Sequence, residues 1–132
     1  MELSRWKKRR FTPTWGGNHE EAEPAVIVFS PPSVGWMSKW RELALRAPSV
    51  DLDGELTSQT VKTVAAWGEE LAGFRADILG DLILAVESLT LEGKAISVEQ
   101  AVEFILENEG LRDEVFSAIL AEGTVSIAEK KA

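Results

Sequence analysis

Ala25-Val26-Ile27-Val28-Phe29, running into Ser30 and Pro31-Pro32, decides how the chain is read. β-Branched and aromatic side chains in succession fit a pleated, half-buried surface, so this is the best strand in the sequence. The two prolines end it, because proline cannot donate to a ladder. Working back toward the N-terminus, Phe11-Thr12-Pro13-Thr14-Trp15 is a candidate partner in a loose hairpin that would put Pro13 on an unpaired edge. Between the two lie the turn-rich Gly16-Gly17-Asn18 and the acidic run from Glu20 to Glu23.

Working forward, the pattern becomes helical. Ser33 can cap a helix whose apolar residues are Trp36, Met37, Trp40, Leu43 and Ala44, one stripe at i, i+1, i+4, i+7 and i+8. Pro48 stops it, and Asp51-Leu52-Asp53-Gly54 reads as a turn. Thr57 or Ser58 caps a second helix, with Val61, Val64, Ala65, Ala72, Ile78, Leu79, Leu82 and Ile83 as its apolar content. Gly68, Gly73 and Gly80 each weaken a helix by roughly 1 kcal/mol relative to alanine, so a break is expected near 73–80.

Val86, Leu89 and Leu91 then precede Glu92-Gly93-Lys94, where glycine is available for a positive φ. A short hairpin around Gly93 is the preferred reading; helix continuing to Leu89 is its rival. Ser97-Val98-Glu99-Gln100 is a capping box, with the serine oxygen and the glutamine side chain each satisfying a free amide. The helix beyond it buries Ala101, Phe104 and Ile105. Gly110 is a natural stop. A last short helix runs from Leu111 to Glu122, with Leu111, Val115 and Ile119 on one stripe and Phe116 and Leu120 beside it. Gly123 ends it, and residues 126–132 form a polar tail. The whole is an α+β chain, predominantly helical with a small β-sheet or hairpins, built as one domain over residues 1–132.

Composition bounds the rest. The 132 residues are enough for one hydrophobic core. Hydrophobic residues make up 45% and charged residues 27%, too apolar a mixture for a fully disordered chain. The absence of cysteine excludes a disulfide framework, a thiolate zinc site and a cysteine nucleophile. The net charge is -8, yet residues 1–10 carry Arg5, Lys7, Lys8, Arg9 and Arg10 against Glu2 alone. The body is therefore strongly acidic and repels nucleic acid phosphate and anionic lipid. The apolar-rich stretch from Ile78 to Leu91 contains Asp81 and Glu87 and is too short to span a bilayer, and no secretory signal stands near the start.

Residues with chemical potential are scattered. His19, the only histidine, sits beside Glu20 and Glu21 in a polar loop with no partner fixed by structure, and reads as a solvated surface side chain. Asp51-Leu52-Asp53-Gly54 resembles the start of a calcium loop, but the twelfth position is Lys62, which cannot close one. Gly16-Gly17-Asn18 is followed by no phosphate-loop sequence, and no serine stands in a nucleophile-elbow pattern. The expectation is a chain that is not an enzyme, with no cofactor, no metal ligands and no catalytic residues.

Binding remains. The basic arm, with Trp6 and Phe11 interleaved, is the one feature resembling a nucleic-acid patch. A mobile solvated arm is the preferred reading; a contact to an acidic protein partner or to nucleic acid is the alternative. Five tryptophans are a heavy load for this length. Trp36 and Trp40 share a helical face; they either pack a core or, with Met37 and Leu43, present a face that captures another protein.

The order of the segments resembles a family. Arg10-Phe11-Thr12-Pro13-Thr14-Trp15-Gly16-Gly17-Asn18, followed by acidic residues and the strand Val26–Phe29, looks like the start of tailed-phage tail assembly chaperones. So does the run from Val86 to Ser97 with its hairpin-like Glu92-Gly93-Lys94, and so do the two helices and lysine-rich end after it. The resemblance implies a small, acidic, non-enzymatic factor in the host cell cytoplasm. It would bind the long, aggregation-prone tape-measure protein and help tail-tube protein subunits assemble around it. Self-association is left open; no membrane is expected. In many such families a frameshift near the gene's end yields a longer product, and Lys130-Lys131 stands where a slippery codon pair would be. The alternative is a minor head–tail or tail component retained in the virion. Trp36, Met37, Trp40 and Leu43 are the candidate client contacts.

Overall fold

A computed structural model describes residues 8–48 and 58–131, with side chains described as far as residue 123. The expected turn at 51–54, its calcium-loop likeness, Thr57 and most of the basic arm lie outside the described residues.

The strand read first in the sequence is the centre of a three-stranded antiparallel sheet. β2 (Val26–Phe29) pairs on one side with β1 (Arg9–Phe11) and on the other with β3 (Ile83–Glu87). Ile27 and Phe29 alternate with Val28 across the pleat, and all three are buried. A central strand covered on both faces explains why the sequence shows an unbroken apolar run rather than alternation.

The β1 pairing lies further upstream than the sequence suggests. Arg9 faces Phe29, Arg10 faces Val28 and Phe11 faces Ile27. Pro13 therefore falls beyond the strand and is buried, and Trp15–Glu20 forms tight 3-10 turns in which Gly16 and Gly17 both take positive φ. Arg9 and Arg10, read as the end of an arm, are sheet residues. Arg9 Nε bonds to Glu122 at 2.8 Å, and Arg10 pairs with Glu87 across the sheet.

α1 (Val34–Leu45) begins where expected: Ser33 is the N-cap, and its Oγ accepts from the Trp36 amide at 3.1 Å. α2 (Ser58–Leu82) runs unbroken for 25 residues, against the break expected near 73–80. Gly73 and Gly80 are exposed, and a Cβ added at either would meet no neighbouring atom within 4 Å. The helix passes through them because Phe74, Ile78, Leu79 and Leu82 anchor its other face in the core. Packing of an amphipathic face outweighs the local penalty. Gly73→Ala should then stabilise the protein by about 0.5–1 kcal/mol, seen as a higher urea midpoint with unchanged slope. Ile83, expected in this helix, instead opens β3.

β3 pairs with β2 through Val26–Glu87, Ile27–Val86 and Val28–Ala85, then slips so that Phe29 faces Ile83. Leu84 is the extra residue of this bulge and is left exposed. The expected hairpin follows, as β4 (Thr90–Leu91) and β5 (Lys94–Ala95). Glu92 and Gly93 both have positive φ, which is the two-residue turn that matches strand twist. The rival, helix to Leu89, is thereby excluded.

α3 (Val98–Glu107) starts on the predicted capping box: Gln100 N donates to Ser97 Oγ at 3.1 Å, and Ser97 N donates to Gln100 Oε1 at 3.0 Å. The helix stops at Asn108, not Gly110. The Asn108 side chain donates to the Phe104 carbonyl at 2.7 Å, while its backbone turns to φ −110° and ψ 100°. α4 (Glu109–Lys131) then runs straight through Gly123 and the segment expected as a polar tail.

Ile27 and Phe29 of the sheet meet Ile78, Leu79 and Leu82 of α2, Val102 and Ile105 of α3, and Leu111, Val115, Phe116 and Ile119 of α4 in one apolar cluster. The molecule is thus α+β and predominantly helical, as the sequence indicates. Among the described residues no helix is long and apolar enough to cross a membrane.

Candidate functional site

The stripe on α1 turns inward. Met37 and Leu43 are each 4% exposed, which leaves them almost no surface for a partner. Trp36 and Trp40 are half-buried in an aromatic cluster with Phe74 and Phe116. Trp40 stacks on Phe74 with centroids 5.9 Å apart and meets Phe116 edge-on at 5.2 Å; Trp36 meets Phe74 edge-on at 5.7 Å. Edge-on and offset stacking are the arrangements the ring quadrupoles favour. Trp36 Nε1 donates to Asp81 at 2.9 Å, and Trp67 Nε1 donates to the Leu43 carbonyl at 2.9 Å, so the indoles also tie α1 to α2. What the stripe leaves outside is part of Trp36 and of Trp40, and Trp36 lines a shallow groove with Lys39, Glu42, Glu70 and Asp77.

A different apolar surface is open. Phe104, expected in the core, is 38% exposed, because the buried face of α3 is centred on Ala101, Val102 and Ile105 and leaves it at the margin. Trp15, from the loop after β1, is 40% exposed and stands edge-on to Phe104 with centroids 5.8 Å apart. The two rings wall a cleft of about 340 Å³. Its apolar lining comes from Pro13, Ile27, Val86, Leu89, Ile105 and Leu111, with Asn18, Glu21, Ser88 and Thr90 as the polar part.

The loop that carries Trp15 is held by side chains. Asn18 Nδ2 donates to the carbonyls of Pro13 at 2.8 Å and Ala25 at 3.0 Å, and Asn18 Oδ1 accepts from the Ala25 amide at 2.8 Å. One asparagine thus closes the loop at both ends. Thr14 donates through its amide and its hydroxyl to Glu114 of α4, the latter at 3.0 Å. The Trp15 ring lies against the first turn of α4: a Cβ at Gly110 would come within 3.2 Å of Trp15 Cδ1. Gly110 is therefore a contact residue for the indole, where the sequence suggested a helix stop.

His19 is about half-exposed, with its Nε2 3.8 Å from Glu20. Among the described residues no three His, Asp or Glu side chains gather as a metal site would require. Arg75 is an ionisable group that its surroundings perturb. Its guanidinium lies over the Phe116 ring at 5.3 Å and reaches Asp113 at 3.7 Å. Burial, then repulsion from Arg112, lowers its pKa from the ordinary arginine value, and its buried Nε has no hydrogen-bond partner. It covers one side of the aromatic cluster, over the Phe116 ring.

The sequence reading gave weight to a paired tryptophan stripe and missed Trp15 with Phe104, which are 89 residues apart and meet only through the fold. The usable local signal was a tryptophan set in a glycine-rich loop, where a core residue would be out of place. No family model matches the chain, and no curated protein or solved structure matches it either.

Proposed function

We propose that the chain is a tail assembly chaperone of a tailed phage, acting in the host cell cytoplasm. It binds the tape-measure protein and keeps its apolar segments apart while tail-tube subunits assemble. No bond is made or broken; the work is done by a surface. The observation that carries this reading is the solvent-open aromatic cleft of Trp15 and Phe104 on a chain of net charge -8. An apolar patch of this kind is what a client segment needs, and net charge keeps the complex dispersed. The order of sequence segments, from Arg10 through Asn18 to the Gly93 hairpin, supports the same reading. Of the α1 stripe, Trp36 and Trp40 keep some surface to offer a client; Met37 and Leu43 act by packing α1.

Co-expression tests this directly. A tape-measure fragment that is insoluble by itself should become soluble and co-purify with the chain. A fragment that stays equally insoluble with and without it overturns the proposal. Mass spectrometry of purified virions should find the chain absent; stoichiometric presence would instead support a tail component that stays in the particle.

A further inference from the structure

The charges around the Trp15–Phe104 cleft specify more than apolar capture. α3, which supplies Phe104 and Ile105, carries Glu99, Glu103 and Glu107 and no lysine or arginine. The loop that supplies Trp15 continues into Glu20, Glu21 and Glu23, and Glu21 itself lines the cleft. The start of α4 adds Glu109 and Glu114, the latter bonded to Thr14. The cations on the same segments are few. Arg112 is engaged with Asp113 at 3.2 Å, and Arg10 is paired with Glu87. Lys94, on the hairpin, is exposed.

We infer that the cleft seats one bulky apolar side chain of a positively charged polypeptide segment, with lysines or arginines on either side of it. The inference deepens the chaperone reading by naming the chemistry of the segment held, and rests on that reading only for the identity of the client. A cleft of about 340 Å³ is at the lower end of ligand-sized cavities, suited to a single aromatic or large aliphatic anchor and not to an extended ligand. Anchors of this kind dominate binding energy when they fill a desolvated pocket. Glu21 is in the cleft lining and the other carboxylates are on the helices and loop that frame it, a charge distribution that steers an oppositely charged chain and selects against an acidic one. The exposed part of the Trp15 ring adds a face on which a flanking arginine or lysine can rest. An acidic or nucleic-acid ligand would meet Glu21 in the cleft and an excess of carboxylates on the segments that build it.

Fluorescence anisotropy with labelled ten-residue peptides and the full chain tests this. Three peptides suffice: lysine-flanked with a central tryptophan, lysine-flanked with a central alanine, and glutamate-flanked with a central tryptophan. The first should bind at least about tenfold more tightly than either of the others, a difference of about 1.4 kcal/mol. Raising the salt should weaken it, since exposed charges are screened. Phe104→Ala should cost about tenfold, and Phe104→Leu, which keeps an apolar wall, should restore most of it. Glu103→Gln with Glu107→Gln should flatten the salt dependence and leave the preference for tryptophan over alanine. Equal binding of the tryptophan and alanine peptides, or Phe104→Ala binding as tightly as the parent at unchanged melting temperature, overturns the inference. So does binding of the glutamate-flanked peptide as tightly as the lysine-flanked one, or no binding by any peptide. Peptide binding without solubilisation of tape-measure fragments keeps the cleft and removes the chaperone reading; the reverse result removes the cleft.

Discussion

Phe116→Ala lowers the stability of the fold by about 3–5 kcal/mol, the range for deleting a buried aromatic side chain. The size follows from what the ring touches. Phe116 is buried at the junction of α1, α2 and α4, edge-on to both Trp40 and Phe74, with the Arg75 guanidinium over its face. Removing it leaves a cavity and ends two aromatic contacts, each worth about 0.5–1.5 kcal/mol beyond area burial. It also takes away the ring beneath a desolvated guanidinium whose Nε already has no partner. Phe116→Leu should recover more than half of the loss, because the leucine side chain refills most of the cavity with apolar volume. Urea unfolding followed by far-ultraviolet circular dichroism measures both. A loss under about 1 kcal/mol for Phe116→Ala would mean the cluster does not hold the three helices together.

Gly123→Leu has the second-largest effect, a destabilisation of about 3 kcal/mol at the upper end of the usual range for overpacking. Gly123 lies where α4 crosses the start of α1. A Cβ built there would be 2.5 Å from Met37 Sδ and 2.6 Å from Pro32 Cγ. Met37 has a flexible side chain and can yield; the Pro32 ring cannot, because it is fixed between β2 and the Ser33 cap. Gly123→Ala is opposed by a gain of about 1 kcal/mol in helix propensity, so it should fall well short of the leucine variant. Gly73→Ala, at an open position of α2, is the control with the opposite sign. A Gly123→Leu protein as stable as the parent would show that α4 can move off α1 without cost.

These two sites show where the sequence is legible and where it is not. Ser33, the Ser97–Gln100 box and the Glu92-Gly93 turn could be read correctly because each acts on backbone groups within three residues of itself. The stripe of Leu111, Val115 and Ile119 was legible from its period, and β2 from its run of β-branched and aromatic side chains closed by two prolines. The glycines were not. Gly73, Gly110 and Gly123 all look like helix breaks in one dimension. The fold makes the first an unoccupied surface position, the second a seat for Trp15 and the third a helix crossing. Which of these a glycine serves depends on atoms tens of residues away. The candidate site was hidden by the same distance, because its two rings and its floor come from the β1 loop, β2, β3, α3 and α4.

The register of the sheet has a consequence for how the chain comes off the ribosome. β2 finds β1 across a short loop, but its other neighbour, β3, is roughly 60 residues further along, beyond α1 and α2. Contacts this remote are slow to form, since the closure entropy must be met before pairing returns anything. At synthesis rates of about 5–20 residues per second, Ile27 and Phe29 spend seconds with one flank of their strand uncovered. The chain thus passes, during its own birth, through an interval in which it carries a greasy strand edge that nothing yet shields.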